Sequence, residues 1–444
     1  MMNRIDNNYL LDSFLNYSMC SNKACQLYMS PFSYQSRCPI CGEPSVIPSQ
    51  LAPIINMNSK NNIYKRYFKD YIVRTINKDN FLKLSKGIGN TDMILNKNLQ
   101  KWAGVNNLYL KEEYSNKSGS FKDRGTFMAI SLLQKKNKYN PFILGTVSTG
   151  NMAISTVYMI NNINIKMNLN LKSFVVIDQD TKDDKIIEIE KAAGKTGTTI
   201  FLVKGKYYKF HKEVYKACLR LRENNIDAYA QLTDDVFRIS GYSTLFGEII
   251  EQVGTPHVII LPVASGALFR VAVFALESFY KNKYIQKMPH IVLVQEKGAD
   301  PIVQSFHNNS SNIKNLVIKK NNFKDGLIAS GIDVSYSQSG LPTLDILKEN
   351  YHTCISVTSK EIKNAYDELE KEGIFSEEAS ASALAAVLKL RKSSYIKENM
   401  QVVCVLTGGN IKKRQIKDTG NNSKRIFCNI EDLQKVIINT FNNG

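Results

Sequence analysis

Six short apolar runs recur from about Phe81 onward: "FILGTV", "SFVVI", "TIFLV", "HVIILPV", "HIVLVQ" and "VVCVLT". Each is nearly continuous and rich in β-branched residues, the pattern of strands buried on both faces of a sheet. Between and after them lie "GTFMAISLLQKK", "DDKIIEIEKAAG", "HKEVYKACLRLRENN", "STLFGEIIEQVG", "SKEIKNAYDELEKEG" and "ASASALAAVLKLRKS". These place apolar residues at three- and four-residue spacing, which predicts amphipathic helices, several closed by a glycine C-cap. Strand–helix alternation of this kind predicts a parallel α/β architecture with helices on both faces. There is no internal repeat. The stretch Asn308 to Asn322 reads as a surface loop. The chain after Lys412 is polar at first and ends in a short amphipathic helix, "IEDLQKVIINTF".

Composition changes this picture little. A chain of 444 residues has room for two or three domains. The formal net charge of +18 raises a nucleic acid or a membrane surface as partner. Lysine and arginine are spread throughout, however, with no basic run interleaved with stacking aromatics. No nucleic-acid partner is expected, and a small anionic substrate suits a positive field equally well. No apolar run is long enough to span a bilayer. The first 20 residues lack the continuous apolar core of a signal peptide, so a cytoplasmic protein is expected.

Cysteine placement adds a local expectation. Cys218, Cys354, Cys404 and Cys428 are scattered and read as reduced thiols. The other four form "CSNKAC" (Cys20, Cys25) and "CPIC" (Cys38, Cys41). Two such knuckles can place four thiolates tetrahedrally, so a closed structural zinc site is expected.

Four loops could carry chemistry, each at a predicted strand end or helix start, where ligands bind in open α/β sheets. In "SGSFKDRGTFMAI", Lys122 falls at or just before a helix N-terminus. Burial and the helix dipole there disfavour an ammonium, and a neutral amine can hold a carbonyl cofactor as a Schiff base. A surface lysine beside a cap is the other reading. In "VSTGNMAIS", Ser148, Thr149, Gly150 and Asn151 offer donors for a carboxylate or ring hydroxyl, or else form an ordinary N-cap. In "LPVASGALFR", small residues leading into a helix suit a phosphate, or simply a tight turn. In "VLTGGNIKK", Thr407 could hold a heterocyclic nitrogen or merely end a strand.

Taken together and in this order, the loops resemble the threonine synthase family within the fold type II pyridoxal-phosphate enzymes. The likeness rests on "GVNNLYLKEEYSNKSGSFKDRGTFMAI", "STGN", "GIFSEEASASALAAVLKL" with its E-x-A-S-A signature, and "LTGGNIKK". The cysteine ribbon also occurs in members of that family. The resemblance implies two α/β subdomains built on parallel or mixed sheets flanked by helices. Residues 51–420 would form the catalytic region, with the smaller subdomain spanning roughly 125–235. Residues 1–50 would carry the cysteine ribbon and 421–444 a helical tail.

The resemblance also implies roles. Lys122 would hold pyridoxal 5'-phosphate, with Phe121 beside the ring and Asn151 on its hydroxyl oxygen. Ala264, Ser265, Gly266, Ala267 and Leu268 would cradle the phosphate, and Thr407 would face the pyridine nitrogen. Ser148, Thr149 and Gly150 would grip the substrate carboxylate, with Thr233 and Arg238 near its phosphate. A homodimer and conversion of O-phosphohomoserine and water to threonine and phosphate are then expected.

Departures bear on the substrate. The cradle "ASGAL" lacks the family's asparagine, and Leu268 replaces a polar residue. "QLTDDVFRISGYST" stands where the family has N-S-x-N-P-x-R-x-E-G-Q-K-T, and "GNTDM" where it has G-x-T-P-L. Arg238 and Gly241 survive and Thr233 can replace the serine; Leu232 loses an amide, Ser240 replaces the glutamate, and Asp234 and Asp235 add negative charge. A related β-elimination or replacement enzyme acting on another O-activated amino acid is the alternative, such as a cysteate-synthase-like enzyme on phosphoserine or an amino-acid enzyme of specialised metabolism. A non-catalytic relative is the alternative of another class. The five histidines form no metal spacing and no nucleophile pair.

Overall fold

The computed structural model describes residues 84–136, 140–205, 207–231, 236–309, 326–333, 337, 339–349, 352–409 and 420–442. It also describes three short strands nearer the N-terminus, β1 (Ser18–Cys20), β2 (Tyr28–Met29) and β3 (Ser45–Val46). These form an antiparallel sheet in the order β2-β1-β3, with Cys20 paired to Ser45 along the backbone. Cys25, Cys38 and Cys41 lie outside the described residues, so the zinc expectation rests on the sequence.

The chain then runs through β4 (Met93–Leu95), α1 (Lys97–Ala103), β5 (Asn107–Glu112), α2 (Lys122–Lys136), β6 (Ile143–Val147) and α3 (Asn151–Met167). It continues through β7 (Lys172–Asp178), α4 (Asp183–Ala193), β8 (Thr199–Lys204), α5 (Tyr207–Glu223), β9 (Ala228–Gln231) and α6 (Val236–Val253). Next come β10 (Val258–Pro262), α7 (Ala267–Lys281), β11 (His290–Glu296), α8 (Pro301–His307), α9 (Gly340–Glu349) and β12 (Thr353–Val357). The last elements are α10 (Ser359–Lys371), α11 (Glu378–Lys392), β13 (Gln401–Leu406), β14 (Lys424–Asn429) and α12 (Leu433–Asn442). All six apolar runs are strands and all the periodic stretches are helices. No helix among the described residues is long and apolar enough to cross a membrane.

The chain divides into two compact units. The first comprises Met1–Lys69, Gly89–Phe121 and Tyr242–Arg414; the second comprises Asp70–Ile88, Lys122–Gly241 and Gln415–Gly444. The first is built on a six-stranded sheet in the order β12-β11-β10-β13-β5-β4. Its strands are parallel except β4, which runs antiparallel to β5. All five residues of β10 are buried, because helices cover both faces. Small residues of α11, among them Ala381, Ala383, Ala385 and Ala386, let that helix pack closely in the core with Val258, Val292 and Val402.

The second unit is built on a five-stranded, wholly parallel sheet in the order β14-β8-β7-β6-β9. One face packs with α5 and α12 through Phe210, Val214, Leu433 and Ile437; the other packs with α3 and α4 through Ile154, Val157, Ile186 and Ile189. The edge strand β14 alternates exposed and half-buried residues and was not visible as a continuous apolar run. Arg425 on this strand pairs with Glu190 at 2.7 Å.

One buried ion pair organises the entry to the first unit. Lys111 on β5 and Glu248 on α6 meet at 2.9 Å, with side chains 0% and 2% exposed. The ammonium also donates to the Thr91 carbonyl at 2.6 Å and to Gln252 Oε1 at 2.8 Å. The Glu248 carboxylate accepts the N–H groups of Asn90 and Thr91. This network fixes "GNTDM" without the proline that the family pattern places there. Glu113, also buried, accepts from Thr91 Oγ1 at 2.7 Å and from Asn116 Nδ2 at 3.0 Å.

Removing one partner of a buried pair leaves a charge without its counter-ion. Glu248→Ala is expected to lower unfolding free energy by about 3–5 kcal/mol in urea titration. A loss below about 1 kcal/mol, the range of exposed pairs, would show that the pair is not the anchor.

Candidate active site

In the first unit, three neighbouring parallel strands end at the same edge. Leu406 of β13 lies opposite Glu112 of β5, and Ile260 of β10 lies opposite Cys404 of β13. The loops that follow β5, β13 and β10 therefore emerge side by side. They carry Ser118 to Phe121, Thr407 to Gly409, and Ala264 to Leu268. Loops of different sequence position are thus gathered by strand order alone.

The first two loops are bonded to each other. Phe121 N–H donates to the Thr407 carbonyl at 3.0 Å, and Gly409 N–H donates to the Gly119 carbonyl at 2.9 Å. Ser120 bridges to Gly408 and Ser376 to Gly409 in antiparallel fashion. The Phe121 ring stands 4.9 Å from the Tyr242 ring, tilted by 53°. Thr407 is 5% exposed. Its hydroxyl lies 3.2 Å from Ser380 Oγ at the start of α11. Ser380 accepts the Gly408 N–H at 2.9 Å and donates to the Gly408 carbonyl at 2.9 Å. With the Ser380 hydrogen spent in this way, Thr407 keeps its own for Ser380 Oγ or for a heteroaromatic nitrogen.

The third loop ends in Gly266, the N-cap of α7, with φ 102° and no side-chain cap bond. A Cβ at Gly266 would stand 2.2 Å from Thr343 Oγ1, so only glycine fits against α9 here. Ala264 and Ser265 are half-buried; Ala267 and Leu268 are buried. Small residues from Ala264 to Ala267 lead into α7, and the first N–H groups of a helix suit an anion.

In the second unit, Lys122 is the first residue of α2 and follows directly on Phe121. It is half-buried. Asp123, fully buried, accepts from Ser155 Oγ at 2.6 Å, and Ser155 also bonds Thr126 Oγ1 at 2.8 Å. These bonds tie the first turns of α2 and α3. Asn151 is the first residue of α3, after the N-cap Gly150, which has no side-chain cap bond. Gly150 N–H donates to Ser148 Oγ at 3.2 Å, and no atom lies within 4 Å of a Cβ built on Gly150. Ser148, Thr149, Gly150 and Asn151 are all half-buried. Gly241 is required for packing: a Cβ there would meet the Arg124 carbonyl oxygen at 2.2 Å.

Arg238 is fully buried. Its Nη2 donates to Thr126 Oγ1 and lies 3.5 Å from Thr156 Oγ1. Thr233 lies outside the described residues. Among the histidines, His352 is a core residue that accepts the Ile291 N–H on Nδ1 at 3.3 Å. Burial pushes its pKa down to about 4, so it stays neutral near pH 7.

Several residues of the site escaped the sequence reading. Ser380 was present in the E-x-A-S-A signature, but its bond to Thr407 arises only when α11 packs at the end of β13. Ser120 and Ser376 flank Gly408 and Gly409 with hydroxyls 0% and 1% exposed on their residues, and neither oxygen has a hydrogen-bond partner among the described residues. Buried hydroxyls without partners are costly unless a ligand completes them.

Within the first unit, two buried hydroxyls without partners among the described residues and a glycine-capped helix N-terminus fit a phosphorylated heteroaromatic ring; in the second unit a half-buried lysine opens a helix. The chain belongs to the family of pyridoxal-phosphate dependent enzymes, whose family model matches residues 84–408. Within that class it is 27% identical over 359 residues to the threonine synthase of Methanocaldococcus jannaschii, covering 79% of this chain and 82% of that protein. It is 26% identical over 352 residues to a catabolic L-threonine dehydratase of Staphylococcus aureus, covering 79% of this chain and 91% of that protein. Maize serine racemase shares the fold with a TM-score of 0.57 at 19% identity, covering 83% of this chain and 99% of that structure.

Thr407→Val separates a ligand contact from a structural one. Ser380 keeps both bonds to Gly408, so stability is expected within about 1.5 kcal/mol of wild type. The absorbance maximum of the bound cofactor is expected to shift. An unchanged spectrum would show that the hydroxyl does not touch the ring.

Proposed function

We propose that the protein is a carbon–oxygen lyase of the threonine synthase type, releasing phosphate from O-phosphohomoserine and adding water at the β-carbon. The observation that carries this reading is the neutral Thr407 hydroxyl, bonded to Ser380 rather than to a carboxylate. Pyridoxal phosphate, when bound, supplies an electron sink conjugated to the substrate's α-carbon. A hydroxyl beside the ring nitrogen leaves that nitrogen largely unprotonated and the sink moderate, which suits elimination and replacement better than transamination.

The remaining roles fall to side chains of this chain. The Lys122 amine would hold the cofactor's aldehyde and, when free, would move the substrate's α-proton. Ser148, Thr149 and the N–H groups at the start of α3 hold the substrate carboxylate, because a helix N-terminus favours an anion. Asn151 would hold the cofactor through its hydroxyl oxygen, the backbone of Ser265 to Leu268 would hold its phosphate, and Phe121 would lie beside the ring.

A second reading has a specific observation behind it. Arg238, the cation kept from the family's substrate segment, is wholly buried against Thr126 and Thr156. In sequence, Asp234 and Asp235 add negative charge to that segment. Carboxylates near a phosphate raise its energy. A substrate with another oxygen leaving group, as in the threonine dehydratase relative, is thereby favoured over a phosphate ester. The non-catalytic alternative is disfavoured by the retention of Lys122, Asn151 and Thr407 together.

Incubation of the holoprotein with O-phosphohomoserine is expected to yield threonine and inorganic phosphate in equal amounts. L-threonine, L-serine and O-phosphoserine serve as parallel substrates. Ammonia and a 2-oxo acid from threonine or serine, with no phosphate from O-phosphohomoserine, would overturn the first reading in favour of the second.

A further inference from the structure

The loop Ala264–Leu268 carries no cation and no side-chain amide, yet a fully buried arginine lies one turn behind it. Arg270, on α7, is 1% exposed. Its Nη1 donates to Ser339 Oγ at 3.2 Å, and its guanidinium carbon lies 6.0 Å from the centre of the Phe274 ring. Ser339 is fully buried and precedes α9. The Ser339 N–H donates to the Ser265 carbonyl at 3.0 Å. The Ser339 carbonyl accepts from Thr343 Oγ1 at 2.7 Å, the same hydroxyl that excludes a Cβ at Gly266. Two further donors reach the Ala264 carbonyl: Gln295 Nε2 at 3.2 Å and Ser337 Oγ at 3.2 Å. The loop is thus latched from behind by side chains of β11 and of the segment entering α9.

We propose that Arg270 is a positioning residue for the cofactor phosphate. Through Ser339 it fixes the Ser265 and Gly266 backbone whose N–H groups meet the anion. It also places a positive charge behind a loop whose own side chains supply none. Arg270 acts through Ser339 and does not itself need to touch the phosphate. This inference rests on the reading of Ala264–Leu268 as the phosphate loop.

The test compares two aldehydes that differ only in the phosphate. Apoprotein of wild type, Arg270→Lys, Arg270→Met and Gly266→Ala is titrated with pyridoxal phosphate and, separately, with pyridoxal. Arg270→Met is expected to weaken pyridoxal phosphate about tenfold or more, equivalent to one charge-assisted interaction, while pyridoxal affinity changes less than about twofold. Arg270→Lys keeps the charge and is expected to recover most of the discrimination between the two aldehydes. An unchanged ratio of the two affinities in Arg270→Met overturns the proposal, whether both affinities stay constant or fall together as in a damaged fold. Gly266→Ala checks the underlying reading. If it too leaves the ratio unchanged, the phosphate loop lies elsewhere; if it alone alters the ratio, only the role of Arg270 falls.

Discussion

The hydrogen bond from the Phe121 N–H to the Thr407 carbonyl is the constraint on which the site depends. It joins the end of the loop after β5 to the first residue after β13, next to each other in the sheet. Within the first unit it fixes the chain up to Phe121 beside the end of β13. The paired bridges at Gly408 and Gly409 reinforce the alignment, and Ser380 holds Gly408 from the other side.

The buried ions serve the same end. Lys111 and Glu248 clamp Asn90 and Thr91, while Glu113 and Asn116 shape the chain between β5 and Gly119. Burying so many charges is not an efficient route to stability, since an apolar core of equal volume serves as well. Its benefit is geometric: each carboxylate accepts from backbone N–H groups or side chains whose direction then has few alternatives. Arg270 and Arg238 extend this pattern, one behind the α7 loop and one against the α2 and α3 hydroxyls. In the first case the buried cation faces a loop suited to an anion. In the second it bonds threonine hydroxyls of α2 and α3.

Strong periodicity made much of the fold legible. The six β-branched runs are strands because both their faces are covered, so no polar residue interrupts them. Strands that carry a functional polar residue were harder to see. "NLYLKE" contains Lys111, whose ammonium is buried in a network no local pattern announces. "AYAQ" is only four residues, and "KRIFCN" is an edge strand with one face in solvent. Lys122, Asn151, Gly266 and Thr407 could be picked out as candidates because each sits where a strand or helix boundary can be read locally. Ser376, Ser380, Ser339 and Thr343 could not, because their roles come from helices that return to the strand ends from far along the sequence. Ser380, for example, lies 27 positions from the threonine it holds.

The identity of the covalent lysine is the claim from which the other roles follow. Borohydride reduction of the holoprotein, followed by proteolysis and mass mapping, locates the lysine that carries the cofactor. The prediction is one pyridoxyl phosphate group per chain, on the peptide containing Lys122. A fully reduced chromophore with the label on another lysine, and Lys122 unmodified, would contradict it.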